Sequence, residues 1–306
     1  MEVHRDITAL TTIRNPVVTI GTFDGVHRGH KAILEQMRHI AGFNDGETVL
    51  LTFYPHPRMV LHPGDHGLRL LSTMEEKEEL LSMAGVDHLV VYPFSEEFSR
   101  KTAFEYVRDM LVDQLHVHTL VVGYDHRFGR NREGDFLVLK ELSQDFGFHL
   151  VEIAAQKLKD VKVSSTKIRT ALEVGNIDQA NESLGYDYEI HGTVVKGEGR
   201  GRQIGFPTAN IGNIEPDKLL PAKGVYSVMV RIDEEKKRGV LNIGVRPTVS
   251  GSGNMSVEVH IPGFERDVYG KNITVGFLKR IRDEKKFGSV IELSEQIKED
   301  IKLSLL

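Results

Sequence analysis

The segment from Val17 to Leu34 (VVTIGTFDGVHRGHKAIL) has the pattern of a strand, a glycine-rich turn and the start of a helix. Residues 17–20 are β-branched and uncharged, which is typical of a buried strand. Glycines at positions 21, 25 and 29 interrupt this pattern, and apolar residues then recur at the spacing of one helix face. The segment therefore predicts a strand that leads through a tight turn into an amphipathic helix, and the rest of the chain is organised around this unit.

His27 and His30 lie three residues apart at the predicted start of this helix, so they share one face of its first turn. Free backbone N–H groups and the helix dipole attract anions to such a position. Two imidazoles beside them can donate hydrogen bonds to a polyphosphate and stabilise the charge on a departing pyrophosphate. The alternatives are a structural turn and a metal site, but the chain has no cysteine for a typical structural zinc. The pattern favours phosphate binding.

The string HRGH at residues 27–30 resembles the HxGH signature of the nucleotidyltransferase superfamily. The longer string GTFDGVH, which begins at residue 21, resembles the FAD synthetase branch of that superfamily. The resemblance implies that His27 and His30 are catalytic and that ATP phosphates contact Gly21, Phe23, Asp24 and Gly25.

The composition is that of a globular protein and disfavours several classes of function. The 306 residues are 40 % hydrophobic and 27 % charged, and about 150 residues per domain is the usual size. The net charge of −5 gives no indication of a nucleic-acid or membrane partner, and without cysteine there are no disulfides or thiol catalysis. The start, MEVHRD, lacks the apolar core of a secretory signal, and no run is apolar enough for a membrane span. We therefore expect a cytoplasmic protein.

Strands and helices alternate through the first part of the chain. Capping boxes at Ser72, Thr73 and Thr102 are positioned to open two of the helices. Such alternation predicts a mostly parallel, Rossmann-like sheet that is covered by helices on both faces. The predicted strands of this part are residues 17–20, 48–53, 88–92, 119–122 and 149–153.

The pattern changes near Gly185. The strands that follow have no helix between them, and helical spacing returns only at residues 289–303. This predicts a small antiparallel β-barrel with a C-terminal helix. We expect an α/β nucleotidyltransferase domain at residues 1–184 and a β-barrel domain at residues 185–306. The predicted strands of the barrel are residues 191–195, 225–232, 238–243, 257–260 and 273–278.

Two loops that follow predicted strands are candidates for a flavin site. Residues 53–58 (FYPHPR) lie where α/β sheets bind ligands, although a proline-stiffened loop is the alternative. Residues 123–129 (GYDHRFG) resemble the G-x-[ND]-F-x-F-G box with which the FAD synthetase branch contacts nucleotide. His126 stands where that family has an aromatic residue. The expected flavin contacts are Pro55, His56, Pro57 and Asp125.

Residues 163–169 (VSSTKIR) resemble the VSSTRIR segment of the same family. Hydroxyl and N–H groups at a helix start, followed by two cations, suit a triphosphate, although a capped helix without a ligand is the alternative. Lys167 replaces the family's arginine and can act only as a point charge. No P-loop pattern is present. The expected ATP contacts are Ser164, Ser165, Thr166, Lys167 and Arg169.

The predicted barrel domain begins with a glycine-rich string, KGEGRGRQIGFPTAN, at residues 196–210. It matches a dinucleotide fingerprint poorly, because Pro207 intervenes and no helix is predicted to follow. From Gly201 onward it resembles the riboflavin kinase signature with its PTAN box. The resemblance implies that Thr208 and Asn210 hold Mg²⁺, a cation that prefers oxygen ligands. Backbone N–H groups of the loop can close over phosphates, and the glycines expected there are Gly197, Gly199 and Gly201.

The strand predicted at residues 257–260 (VEVH) resembles the riboflavin kinase strand that carries the catalytic glutamate. The resemblance implies that Glu258 is a catalytic base. Strand alternation places Glu258 and His260 on one face, where a plain surface carboxylate is the alternative. Two further segments agree with the same family in order, GVY at residues 224–226 and NIGVRPT at residues 242–248.

Residues 282–287 (RDEKKF) match the C-terminal segment of the riboflavin kinase family. This match implies that Arg282 contacts flavin. The alternative is a solvated run of charges, which needs no ligand.

Together the motifs identify the chain as a member of the prokaryotic bifunctional FAD synthetase family. The resemblance implies that the barrel domain phosphorylates riboflavin with ATP and Mg²⁺, and that the first domain then transfers AMP from ATP to FMN. The expected partners are these small molecules, and the oligomeric state is open. One alternative is a riboflavin kinase with a degenerate adenylyltransferase domain, which His126 and Lys167 keep open. The other is a non-catalytic flavin-binding regulator, which the intact motifs disfavour.

Overall fold

The computed structural model describes residues 1–10, 13–64, 67–123, 126–153, 163–197, 199–245 and 255–305. The chain forms two compact units, Met1–Ser164 and Ser165–Leu306. Residues 165–184, which the sequence pattern assigns to the first domain, thus lie in the second compact unit, and the domain boundary expected after residue 184 stays a prediction.

The helices between these two positions pack within the second unit, which explains the earlier division. The side chain of Asn181 accepts a hydrogen bond from the Tyr188 amide at 2.8 Å and donates to the Phe277 carbonyl at 2.7 Å. The Ala222 amide donates to the Leu172 carbonyl at 2.9 Å. These contacts join the helices to the strands that follow them in the sequence.

The first unit is built on a parallel sheet with the strand order β1-β4-β3-β2-β5-β6. Every residue of β2 is buried, because this strand has a parallel neighbour on each side and helices on both faces. The predicted Rossmann-like sheet is confirmed, with one strand added at its edge that the sequence pattern did not predict. The strands are β1 (Glu2–His4), β2 (Val17–Ile20), β3 (Thr48–Tyr54), β4 (His88–Pro93), β5 (Thr119–Gly123) and β6 (His149–Ile153).

Two helices of the first unit begin where the predicted capping boxes lie, with one change. Thr73 and Thr102 form complete capping boxes with Glu76 and Glu105, whereas Ser72 caps no helix. The helix that opens after Thr102 continues from Val107 to Val112 as a π-helix. The helices are α1 (Arg28–Phe43), α2 (Pro57–Leu61), α3 (Met74–Met83), α4 (Glu96–Ser99), α5 (Ala103–Tyr106) and α6 (Phe136–Phe146).

The second unit contains a closed antiparallel barrel with the strand order β10-β11-β8-β7-β12-β9. Tyr188, Tyr226 and Phe277 fill its interior and are fully buried. The predicted barrel and C-terminal helix are confirmed, and the PTAN box adds the strand β8, which the sequence pattern did not predict. The elements are α7 (Ser165–Glu173), α8 (Ile177–Leu184), β7 (Tyr188–Val195), α9 (Arg200–Gln203), β8 (Thr208–Gly212), β9 (Gly224–Ile232), β10 (Glu235–Val245), β11 (Met255–His260), β12 (Asn272–Arg282) and α10 (Val290–Leu305).

Candidate active sites

His27 is the N-cap of α1, a position that usually belongs to serine, threonine, aspartate or asparagine. Its Nδ1 accepts a hydrogen bond from the backbone N–H of His30 at 3.3 Å. The proton of a neutral His27 ring must then sit on Nε2, which is a donor. The first turn of a helix generally favours an anion, because its N–H groups lack intrahelical partners.

The two rings of the HxGH motif are stacked. Their centroids lie 3.6 Å apart and their planes differ by 11°. Gly29 permits this contact, because a Cβ at that position would come within 3.2 Å of the His27 ring. A larger residue between the histidines would therefore press on the His27 ring, so the packing of the stack favours glycine at this position of the motif.

His30 lies in an environment that disfavours its charged form. Burial, together with the nearby His27 and Lys77, lowers the pKa of His30 well below its ordinary value. Its ring packs against Phe23 with centroids 4.5 Å apart, and its Nδ1 is buried without a hydrogen-bond partner among the residues that the structure describes. His30 is thus neutral at neutral pH, and orphaned polar atoms of this kind are concentrated at functional sites.

The turn before α1 is held in an unusual backbone conformation. Val26 has a φ of 33° and Phe23 a φ of 44°, in a region that non-glycine residues rarely adopt. The Asp24 carboxylate accepts hydrogen bonds from the amides of Leu71 and Ser72, at 3.0 Å each for the same oxygen. Ser72 Oγ in turn accepts from the Gly25 amide at 3.0 Å. The expected contact of Asp24 with phosphate stays a prediction, and its visible role is to tie the turn to the segment before α3.

Replacement of Asp24 by asparagine is expected to destabilise the first unit. The amide oxygen can replace the shared acceptor, but the NH2 group takes the place of the Oδ2 that accepts from the Leu71 amide at 3.1 Å, and the charge is lost. Hydrogen bonds to a charged group contribute about 1.5–3 kcal/mol. Urea unfolding followed by circular dichroism measures the loss. The matched control is Asp145→Asn on the exposed surface of α6, which should change the free energy of unfolding by less than about 0.5 kcal/mol. Equal effects of the two substitutions would contradict the role of Asp24.

Lys77 is a site residue that sequence patterns did not indicate. It lies on α3 and is only 7 % exposed. Burial lowers the pKa of its ammonium group, while the carboxylate of Asp24 acts in the opposite direction. A lysine in the string MEEKEELLSM has the appearance of a solvated surface residue, and only the packing of α3 against the turn brings it close to His30.

A cleft of about 640 Å³ opens at the carboxyl ends of the sheet strands in the first unit. Gly21, His56, Pro57 and His126, which the sequence assigned to different motifs, line this one cleft. Pro55, directly before His56, follows Tyr54 through a cis peptide bond. The predicted contact Asp125 lies outside the described residues. Lining residues that the sequence did not single out include Phe53, Phe94, Phe98, Arg58, Lys101 and Arg132.

The VSSTKIR segment begins a helix, as predicted. Helix α7 starts at Ser165, and Ile168 anchors it in the core while Thr166 and Lys167 are exposed. Ser164 ends the first unit, whereas Arg169 and the residues between them belong to the second. The expected triphosphate contacts of this segment therefore stay a prediction.

In the second unit, strand register brings the predicted kinase residues together. Glu258 on β11 pairs with Asn210 on β8, and His260 pairs with Thr208. Directly paired residues share one face of an antiparallel sheet. The Thr208 hydroxyl donates a hydrogen bond to Glu258 Oε2 at 3.3 Å. The PTAN box and the VEVH strand thus form one constellation on the outer face of the barrel.

Two further groups complete this constellation. Asn242 on β10 is the partner of Glu258 on its other side, and the sequence offered only its place in the NIG string as a signal. His260 Nδ1 donates to the Pro207 carbonyl at 2.7 Å, so a neutral His260 carries its proton on Nδ1. This hydrogen bond between His260 and Pro207 fixes the turn that leads into β8.

The glycine-rich loop lies against these residues. A Cβ at Gly197 would collide with the side-chain amide of Asn210. Gly199 has a φ of 71° and precedes the one-turn helix α9, which the sequence did not predict. Gly197 is needed because the loop passes directly over Asn210, which is 7 % exposed, whereas Gly199 is needed for its positive φ. Phosphate contacts by Gly197, Gly199 and Gly201 stay a prediction.

Arg282 has partners of its own. Its Nε and Nη2 donate to the two carboxylate oxygens of Asp300 at 2.9 and 2.8 Å, and Asp300 is 2 % exposed. Its Nη1 donates to the Asp283 carbonyl. This bidentate pair ties β12 to α10, so a flavin would have to compete with it. The structure gives Arg282 a structural role, and the expected flavin contact stays a prediction.

Comparisons with known proteins agree with the fold of each unit taken by itself. A family model described as FAD synthetase matches residues 10–167, and a family model described as riboflavin kinase matches residues 184–305. A bifunctional riboflavin kinase/FMN adenylyltransferase from Listeria monocytogenes is 38 % identical over 94 % of this chain and 90 % of its own. The protein of that description from Escherichia coli K12 is 40 % identical over 93 % of this chain and 90 % of its own.

A solved structure covers the whole fold. The crystal structure of a protein described as a macrolide-efflux protein, from Streptococcus pneumoniae, is similar with a TM-score of 0.87 and 31 % identity, over 99 % of this chain and 97 % of that one. In the described parts of this chain no helix is both long and apolar enough to cross a membrane. From the two family models and the curated relatives we conclude that the chain belongs to the family of bifunctional riboflavin kinase/FMN adenylyltransferases, with a FAD synthetase domain followed by a riboflavin kinase domain.

Proposed function

We propose that each reaction of this bifunctional enzyme uses the constellation found in its own unit. AMP transfer to FMN takes place at the stacked histidines and the adjoining cleft of the first unit. Riboflavin phosphorylation takes place on the outer face of the barrel. The observation that carries the second assignment is the direct pairing of Glu258 with Asn210 and of His260 with Thr208.

In the adenylyltransferase reaction a phosphate oxygen of FMN attacks the α-phosphorus of ATP. The bond from that phosphorus to the bridging oxygen breaks, and pyrophosphate leaves. His27 Nε2–H and the neutral His30 are positioned as donors to the developing negative charge. Donors that are fixed before the reaction need no reorganisation, and no covalent intermediate with the protein is required.

The cleft has groups that suit both the ring system and the phosphate of a flavin nucleotide. Phe53, Phe94 and Phe98 form an aromatic cluster with ring centroids 5.6–5.7 Å apart, which supports binding of a flat, apolar ring system. Arg58 and Arg132 line the same cleft and provide positive charge for a phosphate. His126 stacks near Phe128 with centroids 5.8 Å apart, so the residue that departs from the family pattern still presents an aromatic face.

In the kinase reaction Glu258 accepts the proton of the ribityl hydroxyl as that oxygen attacks the γ-phosphorus of ATP. Thr208 Oγ1 and Asn210 Oδ1 are the groups that would hold Mg²⁺, and two neutral oxygen ligands beside a carboxylate fit this hard cation. Bound Mg²⁺ would neutralise charge on the transferred phosphoryl group. The hydrogen bond from Thr208 orients Glu258.

Incubation of the full chain with riboflavin, ATP and Mg²⁺, followed by chromatographic separation of riboflavin, FMN and FAD, tests both activities together. We expect FMN to rise first and FAD to follow. Omission of Mg²⁺ in the presence of a chelator should stop the first step. Accumulation of FMN without FAD would support a degenerate adenylyltransferase domain, and the absence of both products would support a flavin-binding regulator.

The position of the domain boundary gives a prediction about fragments. A fragment of residues 165–306 is expected to fold and to phosphorylate riboflavin without the first unit. A fragment of residues 186–306 lacks α8, whose Ile177, Ala180 and Leu184 are buried. Exposure of a large apolar side chain costs about 1.5–3 kcal/mol, so the shorter fragment should have a clearly lower Tm by scanning calorimetry. Equal stability of the two fragments would instead place the boundary after residue 184.

A further inference from the structure

Two histidines and a carboxylate converge at the edge of the parallel sheet. Glu2 and His4 lie on β1, and His88 is the first residue of the neighbouring strand β4. His4 Nε2 and His88 Nδ1 are 3.0 Å apart. The Glu2 oxygens lie 3.8 Å from His4 Nδ1 and 3.9 Å from His88 Nδ1. One ligand atom from each residue lies within 4.8 Å of the other two.

The 3.0 Å between His4 Nε2 and His88 Nδ1 is a hydrogen bond whose proton an ion would displace, and it is close to the separation of two nitrogens on one metal ion. A tetrahedral Zn²⁺ with bonds of about 2.0–2.1 Å to nitrogen holds its ligand atoms roughly 3.3 Å apart. The side chains of His4 and His88 are only 9 % and 12 % exposed, so folding has already restricted them. The Glu2 side chain is 61 % exposed and needs only a rotation to complete the set.

A second carboxylate lies behind one of the rings. His88 Nε2 faces Glu47 Oε2 at 3.7 Å, and this oxygen accepts a hydrogen bond from the Arg14 amide at 2.9 Å. A carboxylate at the outer ring nitrogen is the usual means by which proteins orient a metal-binding histidine and increase its basicity. At 3.7 Å the Glu47 carboxylate is too far for a hydrogen bond to the ring, but its negative charge favours a metal-bound His88 electrostatically.

From this geometry we infer that Glu2, His4 and His88 form a binding site for a divalent transition metal ion of the zinc class, with water in the fourth position. Imidazole nitrogen favours such ions over Mg²⁺ and Ca²⁺, which prefer oxygen ligands throughout. The site lies along β1 and at the amino end of β4, whereas the cleft lies at the carboxyl ends of the strands. The ion would therefore join the three-residue edge strand β1 to the sheet and would take no part in either reaction.

Calorimetric titration of the full chain with Zn²⁺ tests this inference, using protein with no histidine tag. We expect His88→Gln to weaken the tightest Zn²⁺ site at least about tenfold. Glu2→Gln, which changes an exposed side chain and so leaves folding intact, should weaken the same site. The matched control is the double variant His118→Gln/His149→Gln, which removes another histidine pair with ring centroids 5.2 Å apart. This control should bind Zn²⁺ as the parent does.

A second measurement separates binding at this cluster from binding elsewhere. Zn²⁺ at about 100 times its Kd should raise the Tm of the parent by roughly 5 °C, because the ion binds the folded state only. The shift should disappear in His88→Gln and persist in the control. Riboflavin phosphorylation and AMP transfer should be unchanged in His88→Gln. Zn²⁺ affinity and Tm shift that are the same in the parent, His88→Gln and Glu2→Gln would overturn the inference, as would the absence of Zn²⁺ binding by the parent.

Discussion

Replacement of Glu258 by glutamine is expected to reduce kcat for riboflavin phosphorylation by about 10²–10⁴. Glutamine keeps the size of the side chain and can still accept the hydrogen bond from Thr208, which is 3.3 Å long in the parent. It cannot take the proton of the ribityl hydroxyl, a poor nucleophile. The loss should appear in kcat rather than in the KM for ATP, because Thr208 and Asn210 are unchanged.

Two controls accompany this variant. AMP transfer to supplied FMN reports whether the same polypeptide is folded, and it should be unaffected. Glu189→Gln changes another half-buried carboxylate of the barrel, on β7, and should leave the kinase rate nearly unchanged. A fall in kcat of less than about tenfold for Glu258→Gln would exclude Glu258 as the base. His260, its neighbour on the same face, would then be the next candidate.

His30→Ala is expected to reduce FAD formation from FMN by about 10²–10³, the usual cost of one lost donor at a site of developing charge. The substitution also removes the stacking partner of His27, whose ring centroid lies 3.6 Å away. Riboflavin phosphorylation by the same variant should continue at the parent rate. The measurement is the initial rate of pyrophosphate release with FMN and ATP as substrates.

The matched control for this variant is His39→Ala, which removes an exposed histidine from the same helix. It should leave both activities unchanged. Since the pKa of His30 is lowered, the loss in His30→Ala should be of similar size throughout neutral and mildly basic pH, where the parent ring stays uncharged. Normal AMP transfer by His30→Ala would show that the helix start does not handle the phosphates.

Most of the fold was predictable because its signals are local. Alternation of β-branched runs with capped helices predicted the parallel sheet, and the loss of helices after Gly185 predicted the barrel. The elements that were missed are short or polar. Strand β1 (Glu2–His4) is an edge strand with charged residues, and β8 (Thr208–Gly212) lies within a motif dominated by glycine and proline. Both strands form because they make hydrogen bonds to strands that are distant in the sequence. The spacing of apolar residues within a segment gives no information about such pairing.

The candidate sites also contain some features that local sequence patterns predicted and others that depend on distant partners. Sequence by itself determined that His27 and His30 start a helix after a glycine turn, and that Glu258 and His260 share one face of a strand, because both facts follow from helix and strand geometry. Tertiary structure alone decided that Asp24 holds the turn through Leu71 and Ser72, since those hydrogen bonds join residues that are far apart in the chain.

The same distinction explains Lys77, Asn242 and the cluster of Glu2, His4 and His88. Each of these residues looks like a solvated or isolated polar group in its own segment. Lys77 comes close to Asp24 and His30 only because α3 packs against the turn before α1, and Asn242 meets Glu258 only through the pairing of β10 with β11. His88 meets His4 only because the chain returns to place β4 beside β1. Functional residues that lie within one strand or turn can therefore be recognised from the sequence. Contacts between residues of different elements form only when those elements pair or pack in the folded protein.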